Sequence, residues 1–290
     1  MPLKKTSIST KVKNTNKNKL SLLSIRKKID KIDNKIHDLL MERAELVKDV
    51  KKEKRKENNS DIIIYRPARE YEILIRLIKR HKGIISIKSL ISIWRSLISA
   101  YISIQGQLKV TFTGNIDEIV SHHFGSDIKK IKNKSSLSCL KSLVDNKCNI
   151  IVLPFPNQQY DWWINLNNYP NIFVIGGLSD SLSGDIQALV LSKQNIEYAS
   201  NNISLYTSKI ASKNLKKYSD FLTTNGFVLI SEKIITSKFS MILFSIIVTS
   251  EFENKNKLKI IDNYRFDDNV KPRLVGVFST IDKEILNGKV

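Results

Sequence analysis

The sequence predicts a multidomain protein of the α and α/β classes. Three observations support this fold class. Apolar residues recur at helical spacing before residue 107, short β-type runs alternate with helical stretches from residue 108, and another series of β-type runs begins near residue 201. The expected regions are a disordered basic tail, a three-helix region, an α/β region and a small α+β region, over 1–19, 20–107, 108–200 and 201–290.

The first helix carries a seam of apolar residues on one face. They step by three and four positions: Leu22, Ile25, Ile29, Ile32, Ile36, Leu39, Leu46 and Val50. The seam predicts another apolar residue at position 43, where the chain has Arg43, and Lys54 follows on the same face. Cations are costly to bury there unless an anion meets them, although one Arg in a coiled-coil seam can also set its register.

Two further helices are predicted before residue 107. One covers about 66–81, because Pro67 needs no donor in a first helical turn. The other covers about 86–105 and ends at Gly106. Its apolar stripe is expected at Leu90, Trp94, Leu97 and Tyr101.

Short β-type runs characterise the rest of the chain. The runs LKVTFTG, NIIVLPF, NIFVIGG and QALVLS, with helices near 116–124 and 137–144, predict a mostly parallel sheet. After residue 201, a helix is expected over 212–226, with strands at ISLYTSK, VLISEKII, SMILFSIIVTS and LVGVFST. This second series predicts a small α+β region.

Composition narrows the class of protein. The formal charge is +20, but the excess is mostly Lys spread along the chain beside Ile, Asn and Ser, so nucleic-acid binding is the weaker interpretation. No window approaches the roughly 18 to 20 apolar residues of a membrane span. Cys139 and Cys148 predict neither a disulfide framework nor a metal site, and favour the cytoplasm. The pair His122-His123 is interpreted as packing rather than ligation.

The helical region has a surplus of positive charge. Among the candidate binding residues of this region, one carboxylate, Glu70, is set against five cations: Arg26, Arg43, Lys54, Arg66 and Arg69. A compact dianion would balance the surplus of about four charges. Arg26 and Arg43 lie roughly 26 Å apart along a helix at about 1.5 Å per residue, too far for one small ligand. If both serve one ligand, Arg26 must reach a site in a partner, which predicts an intertwined antiparallel homodimer.

Three stretches resemble a known family. LLSIRKKIDKIDNKIHDLLMERAELVKDVKKEK, YRPAREYEIL and IWRSLISAYISIQG, in this order over 20–107, resemble the all-helical chorismate mutases. The resemblance is closest to the mutase domain at the front of bifunctional chorismate mutase-prephenate dehydratases. It implies isomerisation of chorismate to prephenate by a homodimer without a cofactor, a reaction that requires no nucleophile, metal or proton shuttle.

The resemblance assigns roles to individual residues. Arg26 would bind a substrate carboxylate across the dimer, and Arg43 would bind within its own protomer. Lys54 would contact a carboxylate and the ether oxygen, and Gln105 would contact the ether oxygen. These two are the predicted catalytic residues, because donors placed at the breaking ether bond stabilise the transition state most. Glu70 would hold the substrate hydroxyl.

Two positions depart from the family pattern. Arg66 stands where many members have an acidic residue, and Tyr101 stands where a serine contacts a carboxylate. Arg69 and Arg66 would brace the anion or the surrounding carboxylates, or else form a solvated charged face.

The second half resembles a degenerate prephenate dehydratase lobe followed by a region faintly similar to the ACT regulatory domain. Ile186 and Gln187 occupy the places of the catalytic threonine and arginine of the dehydratases. Only about thirty residues separate Pro154 from that strand, too few for a second lobe. The main prediction is therefore a mutase, and the alternatives are a bifunctional mutase-dehydratase and a non-enzymatic basic coiled-coil interaction module.

Overall fold

Eight α-helices and nine strands form the described part of the chain. The computed structural model describes residues 21–57, 63–180, 183–263, 270–281 and 283–286, so the predicted tail over 1–19 lies outside it. The helices are α1 Leu22–Glu57, α2 Pro67–Arg80, α3 Ile87–Gln105, α4 Asp117–Phe124, α5 Ser136–Val144, α6 Leu215–Thr224, α7 Glu251–Asn263 and α8 Lys283–Leu286. The strands are β1 Lys109–Phe112, β2 Lys129–Lys132, β3 Ile150–Pro154, β4 Phe173–Ser179, β5 Ile186–Ser192, β6 Asn202–Ala211, β7 Val228–Ile234, β8 Phe239–Val248 and β9 Arg273–Phe278.

Local signals account for the ends of α2 and α3. Pro67 occupies the first turn of α2. Ser86 caps α3 by accepting a hydrogen bond from the Ser89 N–H, and Gly106 follows its last turn. The predicted bounds of both helices are confirmed. The expected stripe on α3 is shifted, because its buried residues are Ile91, Ile98, Ser99, Tyr101 and Ile102, while Leu90, Trp94 and Leu97 are only partly buried.

The strands form one nine-stranded sheet in the order β2-β1-β3-β5-β4-β9-β6-β8-β7. Three pairings are parallel, namely β1 with β2, β1 with β3, and β4 with β9. The other five are antiparallel. Within 108–200, the region for which a mostly parallel sheet is predicted, two of the four pairings are antiparallel, so that prediction is wrong. A reason is the short connection between β4 and β5, which joins antiparallel neighbours without a crossover helix.

One pairing joins the two halves of the sheet. Val174 of β4 pairs with Gly276 of β9, so strands from both predicted regions, 108–200 and 201–290, belong to one sheet. A Cβ atom at Gly276 would overlap the backbone and side chain of Val174. The close approach of the two strands therefore requires glycine at this position. The domain boundaries given above stay a prediction.

Helices cover both faces of the first half of the sheet. Ile98 and Ile102 of α3 share a buried core with Phe124 of α4 and with strand residues that include Val110 and Val190. On the opposite face, α5 and a 3₁₀ helix at Trp162–Asn168 bury Leu140, Trp163 and Leu166. The helix α3 also has the length and mean hydropathy, 1.2, of a membrane span. Its packing against the sheet is typical of a core helix in a folded domain.

The second half of the sheet is a βαββαβ unit. The helix α6 follows β6 and α7 follows β8, and both helices add partly buried or buried apolar residues to a core around Tyr206, Tyr218 and Phe244. The sequence analysis did not predict α7 or the edge strand β2. The α7 sequence EFENKNKLKIIDN is polar and rich in Asn, so it lacks a clear apolar face.

The chain divides into two compact units at Val50–Lys51, inside α1. In the first unit, the residues of the predicted apolar seam are exposed on the surface of α1. Its eight members expose between 40% and 63% of their area: Leu22, Ile25, Ile29, Ile32, Ile36, Leu39, Leu46 and Val50. The predicted fold class, helices first and then an α/β region, is confirmed by the order of the elements.

Candidate active site

The two predicted catalytic residues lie together. Lys54, near the end of α1, donates from Nζ to Oε1 of Gln105 at 3.3 Å and to the carbonyl oxygen of Ile63 at 2.9 Å. One turn earlier, Lys51 donates to the carbonyl oxygen of Ile104 at 3.2 Å. Two cations therefore meet the carboxyl end of α3, where the carbonyl groups have no partner within the helix and the helix dipole favours positive charge.

The surroundings of Lys54 lower the pKa of its ammonium group. Partial burial is the main cause, and the nearby Arg66 guanidinium adds to it, while Glu197 acts in the opposite direction. Arg66 and Glu197 form an ion pair with an Nε–Oε1 distance of 2.9 Å. Lys54 is therefore a partly desolvated donor beside the amide of Gln105, an arrangement that can stabilise negative charge on an oxygen atom.

A cleft opens beside this pair. It encloses about 1570 Å³ free of protein atoms, including space open to solvent. Gln105 and Lys51 line it together with polar side chains from the α/β region, among them Asn146, Asn149 and Gln194. The cleft is large and polar enough to admit a small anion next to Gln105.

Glu70 lies in a different environment. Its carboxylate Oε2 is 4.0 Å from Nε2 of His123, and only 14% of the side chain is exposed. Burial raises the pKa of Glu70 to about 7, although the guanidinium of Arg95 acts against the rise. The cavity that Glu70 lines shares only Tyr65 with the cleft beside Gln105.

The hydrogen bonds around His123 define its tautomer. Nη1 of Arg95 lies 2.6 Å from Nδ1 of His123, and the Tyr65 hydroxyl lies 3.1 Å from Nε2. Because a guanidinium can only donate, Nδ1 must be the acceptor and Nε2 must carry the proton. Burial, followed by the charge of Arg95, lowers the pKa of His123 well below its usual value, so the imidazole is neutral at pH 7.

The other predicted site residues of the second unit do not lie together. Arg69 is exposed on α2, and Tyr101 is buried in α3 with 7% of its area accessible. Arg66 forms its ion pair with Glu197. Arg26 and Arg43 belong to the first unit, where Arg26 is exposed and Arg43 is partly buried. Their roles towards a ligand stay predictions.

The sequence analysis missed three charged or titratable groups. Glu197 comes from the α/β region and reaches Arg66. Arg95 and His123 meet only because α3 and α4 pack side by side. A signal for Arg95 was present, since Lys88, Ser92 and Arg95 form a polar stripe at i, i+4 and i+7 on an otherwise apolar helix. Nothing near His123 in the sequence indicated its partner.

The helical region is similar to a known protein family. Residues 25–106 match the family model described as chorismate mutase type II. The resemblance predicted for the helical region is therefore confirmed.

Curated relatives extend this finding. The chain is 37% identical over 97 residues to the bifunctional chorismate mutase/prephenate dehydratase of Aquifex aeolicus (strain VF5), covering 32% of this chain and 26% of the relative. It is 24% identical over 142 residues to the protein of the same description from Stutzerimonas stutzeri, covering 47% and 39%. The chain thus spans about a quarter to two fifths of these relatives.

A solved structure is similar at low identity. The prephenate dehydratase from Streptococcus mutans aligns with 59% of this chain and 97% of its own, with 14% identity and a TM-score of 0.43. A likeness at this level says nothing about activity.

Proposed function

We propose that the protein is a chorismate mutase that converts chorismate to prephenate in the biosynthesis of phenylalanine and tyrosine. The observation that carries the proposal is the contact between Lys54 and Gln105 inside the region that matches chorismate mutase type II. These residues supply a cation and an amide from two helices, more than fifty residues apart in sequence. Such a pair suits an ether oxygen that gains negative charge as its bond breaks.

The proposed mechanism relies on positioning and electrostatics. The rearrangement is unimolecular, so the protein has to hold the dianion in its compact conformer and stabilise the transition state. Arg43 and the Arg26 of a second protomer would bind the two carboxylates. Lys54 and Gln105 would donate to the ether oxygen. The proposal also assigns Glu70 to the substrate hydroxyl. In this structure, the Glu70 side chain instead lies beside Arg95 and His123.

The proposal includes a homodimer. The eight seam residues of α1 expose half of their area on average, a large apolar surface for one soluble helix. A second copy would cover the seam and bring its Arg26 to the site. Replacing Ile32 with Asp should weaken the dimer more than a hundredfold, since a carboxylate would enter the apolar seam of both chains. Light scattering with size exclusion would measure this, and an unchanged dimer would contradict the seam interface.

The activity has a direct test. Purified protein should consume chorismate and form prephenate, as followed by the loss of chorismate absorbance and by chromatography of the product. Chorismate turnover no faster than in buffer would overturn the proposal. We place the enzyme in the cytoplasm, which agrees with Cys139 and Cys148 being free and buried.

A bifunctional mutase-dehydratase is the second candidate. The 142 residues aligned with the Stutzerimonas relative exceed the 107 residues that precede the α/β region, so the similarity extends into that region. Against dehydratase activity, Ile186 and Gln187 replace the polar pair that the resemblance requires. Phenylpyruvate formation from added prephenate would favour the bifunctional enzyme, and its absence in a protein with mutase activity would favour the mutase alone.

A coiled-coil interaction module is the non-enzymatic alternative, favoured by the same exposed seam. An Arg43→Leu variant distinguishes it from the enzyme. An interaction module should gain or keep stability, because the change completes the apolar seam. The enzyme should lose most of its turnover, because a carboxylate contact is removed. Thermal unfolding and the chorismate assay on the same preparation would measure both outcomes.

A further inference from the structure

A second cavity lies between α2, α3, α4 and the end of β4. It encloses about 820 Å³ free of protein atoms, including space at its mouth that is open to solvent. Residues 279–281 after β9 and Leu286 of α8 also line it. Lys54 and Gln105 are not among the lining residues, so this cavity is distinct from their contact, while Glu70 belongs to its lining.

Arg95 is the central polar group of this cavity. One of its N–H groups donates to His123, which is neutral and therefore leaves the guanidinium charge unbalanced. A guanidinium has five N–H donors in a planar fork that matches a carboxylate. The carboxyl group of Glu70 influences Arg95 electrostatically, and burial raises the pKa of Glu70 to about 7. Near neutral pH, the Glu70 carboxyl group is therefore only partly ionised beside Arg95.

Ser179 is another polar group in the lining. The hydroxyl oxygen of Ser179, at the end of β4, is buried and makes no hydrogen bond within the described residues. An unpaired buried hydroxyl is costly, and a ligand oxygen would remove the cost. The other charged or titratable groups of the lining are Lys88, Asp180, His122, Tyr65 and Tyr71.

Part of the remaining wall is apolar, and Ser92, Ser279 and Thr280 add polar groups to it. The α2–α3 groove contributes Tyr71, Leu74 and Ile91, and the opposite wall contributes Ile281 and Leu286. All but Leu286 expose less than a tenth of their area. The cavity therefore offers a cation and a hydroxyl beside a patch of buried apolar side chains, which complements one carboxylate attached to a small apolar body.

We propose that this cavity is a binding site for small monocarboxylic acids with an apolar body, separate from the contact between Lys54 and Gln105. The ligand carboxylate pairs with Arg95 and accepts a hydrogen bond from Ser179. Its apolar part lies between Leu74, Ile91 and Ile281. Because the ligand carries negative charge next to Glu70, binding favours the protonated form of Glu70. Affinity consequently falls as the pH rises through 7.

The experiment compares an acid with its neutral amide. Phenylacetate and phenylacetamide are titrated into the full chain by isothermal titration calorimetry at pH 6 and pH 8. Phenylacetate should bind one site per chain at least tenfold more tightly than phenylacetamide at pH 6. Its affinity should fall at least threefold at pH 8, since ionised Glu70 then repels it. Absence of phenylacetate binding, or equal affinity for acid and amide, would overturn the proposal.

Matched variants locate the site. Arg95→Gln should reduce phenylacetate affinity at least tenfold, whereas Arg76→Gln, the same charge change at an exposed position of α2, should leave it within twofold. Lys54→Met should not change phenylacetate affinity, even where chorismate turnover is lost. Loss of binding in Lys54→Met would assign the ligand to the other cleft and refute the proposal. If Arg95→Gln does not fold, two measurements still test the proposal. They are the expected loss of phenylacetate affinity in Ser179→Ala and the acid-amide comparison in the unmodified chain.

Discussion

Replacing Lys54 with methionine separates the proposed catalytic contribution of this residue from its contribution to stability. Methionine keeps most of the alkyl chain and removes the charge. In the structure, Nζ has two hydrogen-bond acceptors, the Ile63 carbonyl at 2.9 Å and Gln105 Oε1 at 3.3 Å, and the side chain is only partly buried. Each such bond contributes about 1 kcal/mol net. The free energy of unfolding should therefore fall by no more than about 2 kcal/mol.

The expected effect on turnover is much larger. Loss of one preorganised donor at a developing negative charge lowers kcat by about 10²–10³, or about 2.7–4 kcal/mol. The chorismate assay on Lys54→Met should show at least a hundredfold loss, with a folded protein by circular dichroism. Lys48→Met is the matched control, because Lys48 is exposed and its ion pair with Glu45 lies elsewhere on α1. A folded Lys54→Met protein with kcat within tenfold of the unmodified chain would refute the assignment.

Three further predictions concern groups outside the Lys54 contact. Glu70 has a pKa raised from 4.5 to about 7, so its protonated form adds stability that is fully present below pH 4.5 and lost as the pH rises through 7. Urea unfolding at pH 5 and pH 8 should therefore show that Glu70→Gln loses less stability than the unmodified chain, by up to about 3 kcal/mol; an identical loss would contradict the raised pKa. Gly276→Ala should destabilise the protein by roughly 1–3 kcal/mol, because a methyl group would push β9 away from β4, whereas Gly83→Ala in an open loop should change stability by less than about 0.5 kcal/mol. Ser99→Ala removes the hydrogen bond to the Phe124 carbonyl and should cost about 1–3 kcal/mol in thermal unfolding; no change would show that α3 and α4 do not depend on this contact.

The separation of Glu70 from Lys54 and Gln105 has a consequence for the proposed site. The resemblance places all three residues around one substrate, while the second unit holds Glu70 beside Arg95 and His123. Mutase activity that survives Glu70→Gln would mean that Glu70 serves mainly the Arg95 cavity. Loss of mutase activity in Glu70→Gln at both pH 5 and pH 8 would support its role at the substrate hydroxyl.

Local sequence was sufficient for the helical elements. Pro67, Ser86 and Gly106 act through their own backbone and side-chain chemistry within one turn, so the bounds of α2 and α3 could be predicted without knowledge of their neighbours. The family resemblance likewise identified Lys54 and Gln105 as a pair, and the structure places them 3.3 Å apart. The apolar seam of α1 followed from periodicity alone.

The pairing of strands that lie far apart in the sequence could not be predicted from the sequence. The order of strands and the join between Val174 and Gly276 depend on which edges meet, a choice that strand propensity does not encode. The helix α7 was missed for a related reason, since its polar sequence becomes helical where a few apolar side chains such as Ile261 find the core.

The sequence by itself determined where the main helices begin and end, that an apolar seam with a cation at position 43 runs along α1, and that the helical region resembles a mutase. Only the tertiary structure decided that α3 lies beside α4, and with it the meeting of Arg95, His123 and Glu70. The physical reason is burial: desolvation in the packed interior changes the proton affinity of Glu70 and His123, and no pattern along the chain states which side chains will be desolvated together.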